Sequence, residues 1–581
     1  MEDSKQQNAD VVDKNRFSFH ALIFLGVLLF ALTVTLAWYA DSFPYQRQPK
    51  AGRPIIQFVV LSWIASAVSL VAIFVGLTVS RSQRLLSGSI VLFAIAFRLI
   101  LVFSNPILEV DYYRYLWDGI AANQGVTPYK FAPVEILCGP ADDPQLIGLQ
   151  QYITDHPSAK KIVARVHFEN FTTLYPPVSQ VFFRLTTQLI PDDASVETHI
   201  VAIKLMLVLF DVGVILCLVW LISVLGKHPA WLIAYAWSPL VLKEISNGGH
   251  LDSIAIFFFT AGIAVFLWIV NRIQLPDKDS GNQPSGTDGS RAPIWVSAAS
   301  GGLIALGIGA KLFPIVLVPA LGVFMLVKRQ LTHAIVFGIS CLVISALALF
   351  PMIVHEKSPP EDVQAAIEIA TGKAAPDSET NDGLAVFITG WRMNDAIFSF
   401  VYQNVEYDWG GKSPAWYVFV PNKKRIEWSQ NLANEKFANG NAAYFVARLV
   451  TVALFALFYL WILFKIWKTE SASDMANVLF LIMGVFFFLQ PTQNPWYWLW
   501  AMPFVCFAKN RGWLFVSMAL FVYYSRFWFQ EKAETYRFWD VDYVGFDFYD
   551  HCVVWIEFLT IIGVLIAFRI FRPRIAADVN E

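Results

Sequence analysis

Long apolar stretches recur along this sequence, and most are joined by short polar connections. A helix needs roughly 20 apolar residues to cross the hydrocarbon core of a bilayer. No water in that core can pair with backbone N–H and C=O groups, so each crossing segment must satisfy them internally as a helix. We therefore predict an all-α polytopic membrane protein with about 14 transmembrane helices, within a range of about 11 to 15. The predicted spans are 17–40, 55–79, 85–103, 199–224, 229–245, 251–271, 294–310, 312–328, 333–354, 444–467, 475–489, 496–508, 512–529 and 551–571.

Composition excludes a soluble enzyme and a nucleic-acid-binding protein. Hydrophobic residues make up 56% of the chain and charged residues 15%, whereas a soluble domain carries roughly 25% charged residues. The net charge of −2 provides no basic excess to neutralise nucleic-acid phosphates. The five cysteines show no metal-ligand spacing, and their odd number argues against a disulfide framework. The first apolar stretch is too long for a signal peptide, so we expect it to be a transmembrane helix.

Three segments are too polar to cross the membrane, namely 104–198, 272–293 and 355–443. Within the first of them, 175–190 is apolar but short, contains Arg184 and begins near two prolines. This pattern predicts a helix that lies at the membrane interface rather than a span. The stretch 274–291 is rich in Gly, Ser, Pro and Asp, which predicts a disordered cytoplasmic connection.

The distribution of Lys and Arg predicts the orientation of the helices. With 175–190 at the interface, Lys and Arg concentrate in the short loops on the side of the N-terminus, which is the cytoplasmic side by the positive-inside rule. Both termini are then cytoplasmic, and 104–198 and 355–443 face the extracytoplasmic side. We divide the chain into four parts. An N-terminal accessory transmembrane hairpin (1–84) precedes a catalytic transmembrane core (85–354), and an extracytoplasmic segment (355–443) precedes the C-terminal transmembrane helices (444–581).

The densest polar cluster beside a span begins at Glu109 and Asp111, directly after 85–103. In a helix, Asp111, Arg114, Tyr115 and Asp118 share one face because they are three and four residues apart. Charged groups at the membrane edge are costly and point to a function. The favoured interpretation is a carboxylate that accepts a proton from a sugar hydroxyl, held by a neighbouring cation. The alternative is a stripe of surface charges that pair with one another.

Two further motifs follow predicted spans on the same side of the membrane. Asn247, Gly248, Gly249, His250 and Asp252 combine polar side chains with glycines, which allow a backbone to approach a ligand closely. The alternative for this motif is a helix cap.

A second motif on that side is Lys311, followed by Pro314. The lysine lies between two apolar stretches and could neutralise a lipid phosphate. Its alternative is a side chain that extends to the interface without a specific ligand.

The remaining candidates are weaker. Gln493, Asn494 and Tyr497 begin another predicted helix and could contact a sugar, whereas Trp498 and Trp500 are typical of the interfacial aromatic belt. Tyr175, before two prolines, could shape a lipid groove or end a helix. Arg98 lies in the outer part of its span and could pair with Asp111 or Glu109, or bind a phosphate. In the second outer segment, Trp391, Arg392, Asn394 and Asp395 could contact the acceptor.

The order of these motifs resembles the GT-C superfamily of membrane glycosyltransferases. The order is Glu109 and Asp111 in the string DYYRYLWDG, then Thr127-Pro128-Tyr129, Tyr-Pro-Pro, Gly-His-Leu-Asp, Lys-x-x-Pro and Asn-Pro-Trp-Tyr. The chain is most similar to bacterial polyprenyl-phosphate-mannose-dependent mannosyltransferases and also resembles the first mannosyltransferase of GPI-anchor synthesis. The resemblance covers roughly 85–350 and 490–500, and it leaves the spans 17–40 and 55–79 as additions to the family pattern.

The resemblance implies a bacterial cytoplasmic-membrane enzyme that transfers one hexose from a polyprenyl phosphate to a glycan, lipid or protein acceptor. Mannose is the hexose that the resemblance implies. Asp111 matches the family's first-loop acid, with Glu109 as its partner. The family's Asp-x-Asp is Glu-x-Asp here, which leaves open whether the enzyme holds a divalent metal, Mg or Mn, at this position. We expect Asp111 to deprotonate the acceptor hydroxyl, which then displaces the phosphate with inversion. General-base catalysis of this kind contributes about 10²–10⁴-fold.

Together these considerations assign three groups of site residues. The predicted catalytic residues are Asp111, Glu109 and Asp118, the predicted phosphate-binding residues are Arg98, Arg114, Lys311 and His250, and the predicted substrate-binding residues are Tyr112, Tyr115, Tyr175, Asp252, Gln493, Asn494 and Tyr497.

Two other functions remain open at this point. A transporter or flippase of lipid-linked glycans would place ionisable groups near the bilayer midplane, often within inverted repeats, and neither feature is visible in the sequence. A glycan polymerase or ligase would share the large outer segments but lack the DYYRYLWDG string.

Overall fold

The computed structural model describes residues 2–46, 52–80, 82–140, 142–272, 293–372, 382–407, 415–433 and 442–571. The predicted connection 274–291 and the tail 573–581 lie outside these residues. Within the described residues, nine helices are long and apolar enough to cross a membrane, and two apolar helices are shorter. The nine are Phe17–Ala40, Ile55–Leu77, Gln83–Val102, Val196–Val224, Asp252–Asn271, Leu331–Ile353, Ala442–Trp467, Ala472–Leu489 and Phe546–Ile570, and the shorter ones are Ile294–Ala310 and Phe313–Val327. The prediction of an all-α integral membrane protein is confirmed.

Three of the predicted spans are not continuous helices. Residues 229–245, 496–508 and 512–529 each form successive short helical pieces. Pro229 and Pro239 are the first residues of two pieces and Pro503 is the second residue of another, because proline lacks an N–H group and clashes with the preceding helical turn. Irregular backbone of this kind is stable at membrane depth when protein surrounds it, and residues 229–251 are almost entirely buried. The pieces are Pro229–Leu232, Ile233–Ala236, Pro239–Val241, Leu242–Asn247, Pro495–Trp498, Met502–Phe507, Arg511–Phe515, Val516–Ala519, Leu520–Tyr524 and Ser525–Lys532.

The two large polar segments contain short helices that pack against each other. Lys130 of the first segment forms an ion pair of 3.0 Å with Glu356 of the second, and the N–H of Ser358 donates to the carbonyl of Lys130. The predicted short helix near 175–190 is present as Pro177–Gln188. The other helices are Tyr112–Asn123, Pro133–Cys138, Pro144–Asp155, Pro157–Val163, Pro360–Thr371, Gly383–Gly390, Ile397–Val405 and Asn422–Ala433.

A small β-hairpin, which the sequence did not predict, precedes the last long helix. Strands Thr535–Phe538 and Val541–Val544 pair in antiparallel fashion, with Thr535 opposite Val544. Trp539 and Asp540 form its tip, both with positive φ.

Small residues allow the central helices to approach closely. A Cβ atom on Gly301 would lie 2.4 Å from the carbonyl oxygen of Phe337, so the helices Ile294–Ala310 and Leu331–Ile353 are in backbone contact there. Ser300 donates to the carbonyl of Gly262 at 2.8 Å and joins the same helix to Asp252–Arg272. Close packing of this kind is typical of helices in lipid, where hydrophobic exclusion does not drive association.

The helix ends bring the predicted motifs to one end of the bundle. Gln83–Val102 ends before Glu109, Val196–Val224 carries Lys204 against that end, Asp252–Arg272 begins beside His250, and Ile294–Ala310 ends at Lys311. The motifs are far apart in sequence, but the alternating direction of the helices returns each of them to this end.

Candidate active site

The loop after Gln83–Val102 is held by side chains from two other segments. Asn247 donates to Ser104 Oγ at 2.9 Å and to the carbonyl of Asn105 at 2.8 Å, and its Oδ1 accepts from the N–H of Ile107 at 2.9 Å. Lys204 Nζ donates to the carbonyl of Ser104 at 2.7 Å. Asn247 therefore anchors this loop and does not cap a helix, so the alternative for its motif is wrong at this position.

Glu109 fixes the backbone of Asp111. Its Oε1 accepts from the N–H groups of Val110 and Asp111 at 2.8 and 2.7 Å. The helix Tyr112–Asn123 begins directly after Asp111, and Tyr175 donates its hydroxyl to Asp111 Oδ2 at 3.2 Å. Asp111 remains partly exposed, whereas Glu109 is buried.

His250 lies between two carboxylates. Its Nε2 is 2.8 Å from Glu109 Oε2 and 3.2 Å from Glu244 Oε2. Its ring stacks on Trp496 with centroids 4.4 Å apart. The preceding Gly249 has φ of +73°, a conformation that glycine adopts at no steric cost, and this turn directs the chain from Asn247 to His250.

Opposing charges separate the pKa values of these groups. Burial raises the pKa of Glu109, but the charges and contacts of His250, Lys243 and the Asp111 amide outweigh it and hold the pKa at about 2. Burial lowers the pKa of His250, but Glu109 and Glu244 outweigh it and raise the pKa to about 10. Burial and the charge of Glu109 raise the pKa of Asp111 to about 6. His250 is thus a cation beside an ionised Glu109, and Asp111 is the group poised to exchange a proton near neutrality.

Lys311 and Asp252 form a second pair next to this cluster. Lys311 Nζ is 2.7 Å from Asp252 Oδ1, which also accepts from Trp500 Nε1 at 2.5 Å. The ammonium lies 4.7 Å from the centre of the Tyr497 ring. Its side chain is 16% exposed, whereas that of Asp252 is 1% exposed. Asp252 therefore contacts two other segments of the chain through Lys311 and Trp500. Lys311 provides a cation at the edge of the candidate site.

One ligand atom from each of Glu109, Asp111 and His250 lies within 4.8 Å of the others, a spacing that could suit a metal ion. A metal requires a neutral imidazole with a free lone pair. Here the carboxylates of Glu109 and Glu244 favour the protonated ring, whose positive charge already balances Glu109. Without a metal the arrangement is an ion-pair network, and these three residues would hold a divalent ion only with the imidazole of His250 deprotonated.

Arg98 does not join the cluster, so the prediction that it pairs with Asp111 or Glu109 is wrong. It is fully buried inside the bundle, where its Nε is 2.6 Å from Asp211 Oδ2 and one NH group donates to the carbonyl of Ala236 at 2.8 Å. Tyr235 donates to the other oxygen of Asp211 at 2.7 Å. This position is unsuited to phosphate binding, because the guanidinium side chain is 0% exposed.

Arg114 and Asp118 follow Asp111 along the predicted helix, but they are buried. Arg114 donates to the carbonyl of Phe168 at 2.9 Å, and Asp118 accepts from Gln180 Nε2 at 2.9 Å. Burial raises the pKa of Asp118 to about 6. The alternative of a self-paired surface stripe is wrong, because both side chains are enclosed and bind groups outside their helix. A catalytic Asp118 and a phosphate-binding Arg114 remain predictions without a supporting contact.

The predicted substrate-binding residues differ in their placement. Tyr115 stacks on Phe183 and meets Tyr175 edge-on, with centroids 4.8 and 5.0 Å apart, and so supports the Asp111 partner. Tyr112 is buried beside Tyr113. Gln493 is fully buried and donates to the carbonyls of Phe488 and Gln490 at 3.0 and 2.8 Å.

The side-chain amide of Gln493 therefore stabilises its own loop, and that donor is not available to a sugar. The neighbouring Asn494 Oδ1 is buried and has no hydrogen-bond partner among the described residues.

Two family models match the chain. Residues 20–327, just over half of it, match the N-terminal domain described as alpha-(1->6)-mannopyranosyltransferase of the MptA/MptB family. Residues 434–545 match the MptB C-terminal domain. The chain belongs to this mannosyltransferase family. It is thus a membrane glycosyltransferase that acts on a sugar donor and an acceptor, which confirms the predicted resemblance. No curated protein and no solved structure matches the chain.

Both matched domains contribute residues to the candidate site of this mannosyltransferase. The N-terminal domain provides Glu109, Asp111, His250 and Lys311, and the C-terminal domain provides aromatic residues that contact them. Trp496 stacks on His250, and Trp500 donates to Asp252. The site therefore lies where the two domains meet.

Sequence analysis missed three residues that complete this network. Lys243 Nζ is 3.1 Å from Glu244 Oε2, and the hydroxyl of Tyr524 donates to Glu244 Oε1. Lys243 and Glu244 fall within the predicted span 229–245, and adjacent charges inside an apolar stretch are an available signal of function. Nothing in the sequence singles out Tyr524 from the other aromatic residues of the C-terminal domain.

Proposed function

We propose that this mannosyltransferase takes mannose from a polyprenyl phosphate on the extracytoplasmic side and transfers it, with inversion, to an acceptor hydroxyl. The observation that carries the proposal is the placement of Asp111 and Lys311. Asp111 is partly exposed, and none of the described cations pairs with it. Lys311 is a partly exposed cation at the same end of the helix bundle.

The chemistry of a polyprenyl phosphate suits a site at this end of the bundle. A polyprenyl chain belongs in lipid, whereas a phosphate is costly to bury without a cation. Lys311 can bind the phosphate at the membrane edge and stabilise the negative charge that grows on it as it leaves. The rings of Tyr497 and Trp500 line the lysine and hold its ammonium in place.

Asp111 acts as the general base in this proposal. Its carboxylate accepts the proton of the acceptor hydroxyl, the oxygen attacks the anomeric carbon, and the bond from that carbon to the phosphate oxygen breaks. The electron pair leaves with the polyprenyl phosphate, and the proton remains on Asp111 until solvent removes it. One displacement that yields the α-(1→6) linkage of the family's name requires a β-linked donor and a primary acceptor hydroxyl.

The donor can be tested with the purified full chain in lipid nanodiscs. We expect labelled mannose to pass from polyprenyl-phosphate mannose to a mannoside acceptor, and no transfer from a nucleotide-linked mannose. Transfer from the nucleotide donor alone would refute the polyprenyl donor. Net movement of the lipid-linked sugar across a vesicle membrane, with no covalent product, would support a flippase instead.

A further inference from the structure

The segment Leu242–Asn247 forms a buried π-helical turn shortly before His250. Such turns are rare and frequently lie at functional sites. This one is buried throughout and carries Lys243, Glu244 and Asn247. Asn247 anchors the loop before Glu109, whereas the charged groups of Lys243 and Glu244 lie 3.1 Å apart.

Glu244 has a partner at each oxygen. Tyr524 donates its hydroxyl to Oε1, and Oε2 lies 3.1 Å from Lys243 Nζ and 3.2 Å from His250 Nε2. Lys243 Nζ lies 4.4 Å from the centre of the Tyr524 ring. Glu244 and Tyr524 are both fully buried, so neither contacts a substrate directly.

The contacts form a chain that ends at the proposed base. Tyr524 donates to Glu244, Glu244 and Glu109 both lie against His250 Nε2, and Glu109 accepts the N–H group of Asp111. The charges alternate from Glu244 through His250 to Glu109, and the two cations Lys243 and His250 balance Glu244 and Glu109. Asp111 is the remaining anion without a paired cation among the described residues, and it is the partly exposed end of this chain of contacts.

We propose that Glu244 and Tyr524 are positioning residues for mannosyl transfer. They keep His250 against Glu109, and Glu109 in turn keeps the carboxylate of Asp111 aimed at the acceptor. The hydroxyl of one tyrosine in the C-terminal domain thereby completes the catalytic network of the N-terminal domain. The inference rests on the proposed role of Asp111.

The test compares Glu244→Gln, Tyr524→Phe and the double variant in the purified full chain. A hydrogen bond to a charged group contributes about 1.5–3 kcal/mol, so we expect kcat to fall about 10-fold for Tyr524→Phe and about 30-fold for Glu244→Gln. The donor KM should change less than about 2-fold, because neither residue touches the donor. Residues that act through one carboxylate are not additive, so the double variant should match Glu244→Gln alone.

Tyr523→Phe is the matched control, since the adjacent tyrosine donates to Met393 Sδ rather than to Glu244. It should keep the kcat of the unmodified enzyme. The inference is overturned if Tyr524→Phe has the kcat of that control, if the losses of the two single variants multiply in the double variant, or if donor KM rises while kcat is unchanged. Thermal unfolding in the same preparation separates a loss of fold, because Tyr524→Phe should unfold near the temperature of the control.

Asp111→Asn distinguishes this inference from the function on which it rests. Full activity in that variant refutes the proposed base, whatever Glu244 does. Loss of transfer in Asp111→Asn together with multiplicative losses at Glu244 and Tyr524 refutes only the positioning role.

Discussion

At the scale of single residues, Glu109 and Asp111 have different pKa values because their surroundings differ. Glu109 is buried against His250 and stays ionised, whereas Asp111 is partly exposed and has a pKa raised to about 6 by burial and the charge of Glu109. Pairs of carboxylates whose environments separate their pKa values commonly divide the roles of base and charge support. Here Asp111 has the features of the base, and Glu109 supports it.

Replacing Asp111 by asparagine tests that assignment. The variant keeps the shape of the side chain but cannot accept the proton, so kcat should fall about 10²–10⁴-fold. Labelled mannose transfer by the purified protein measures the effect. Asp142→Asn, at an exposed acid of the same outer segment, is the control and should transfer at the normal rate. An active Asp111→Asn would remove Asp111 from the role.

The pH dependence provides a second test at this scale. Asp111 must be ionised to act as a base, and its raised pKa of about 6 means that activity is present above this value and lost below it. Glu109 stays anionic and His250 cationic through that range, since their pKa values are about 2 and about 10. We expect kcat/KM to fall about tenfold for each pH unit below the pKa.

Asp118 also has a pKa raised to about 6 by burial, so Asp118→Asn is the required control. The acid limb of the kcat/KM profile should persist in that variant. If Asp118→Asn abolishes the limb while transfer continues, the titrating group is Asp118 and the account of Asp111 is incorrect.

The sequence predicted the central residues but not all their partners. Glu109, Asp111, His250, Asp252 and Lys311 stood out because polar groups at the ends of apolar stretches are costly. The partner of Arg98 could not be predicted, because a sequence does not give the rotation of one helix against another. The same limit hid Tyr524, whose hydroxyl becomes significant only when two distant domains pack together.

At the scale of elements, broken helices place the site. Hydropathy gives the same signal for a continuous span and for successive short helices in a protein interior, so 229–245, 496–508 and 512–529 looked like ordinary spans. The prolines in the first two were the available warning, and 512–529 contains none. In the structure, the first of these segments ends in the turn Leu242–Asn247, which buries Lys243, Glu244 and Asn247.

The buried pair of Arg98 and Asp211 stabilises this arrangement, because Arg98 also binds the carbonyl of Ala236 at the end of a short helix. Removing one partner of a buried ion pair costs about 3–5 kcal/mol, so Arg98→Met should lower the unfolding temperature in detergent markedly. Adding Asp211→Asn should restore part of the loss.

Lys509→Met is the comparison for that experiment. Its lysine pairs with Asp474 at the surface, where the lysine side chain is 64% exposed, and exposed pairs contribute about 0–1 kcal/mol. Equal unfolding temperatures for Arg98→Met and Lys509→Met would contradict a stabilising role for the buried pair.

At the scale of the whole molecule, the fold follows from apolar patterning, and the alternating helices bring four separate motifs to one end. The sequence predicted this convergence from the number of spans between successive motifs, because an odd or even number decides on which side each motif lies. That number depended on 175–190 not crossing the membrane. The structure has a short helix there, Pro177–Gln188. The β-hairpin 535–544 and the contacts between the two outer segments depend on tertiary packing and left no comparable signal.

The predicted orientation can be measured in intact cells. A single cysteine at Asp142, in a chain whose five native cysteines are replaced, should react with a membrane-impermeant maleimide from outside. A cysteine at Lys328, in the short loop after Phe313–Val327, should react only after the cells are opened. The reverse pattern would place the site on the cytoplasmic side.

The most direct measurement is an electron-microscopy structure of the full chain carrying Asp111→Asn with polyprenyl-phosphate mannose bound. The account predicts the phosphate in contact with Lys311 Nζ, the polyprenyl chain in the surrounding lipid, and the anomeric carbon facing the side chain at position 111. A phosphate bound at the opposite end of the bundle, or a sugar turned away from position 111, would contradict it.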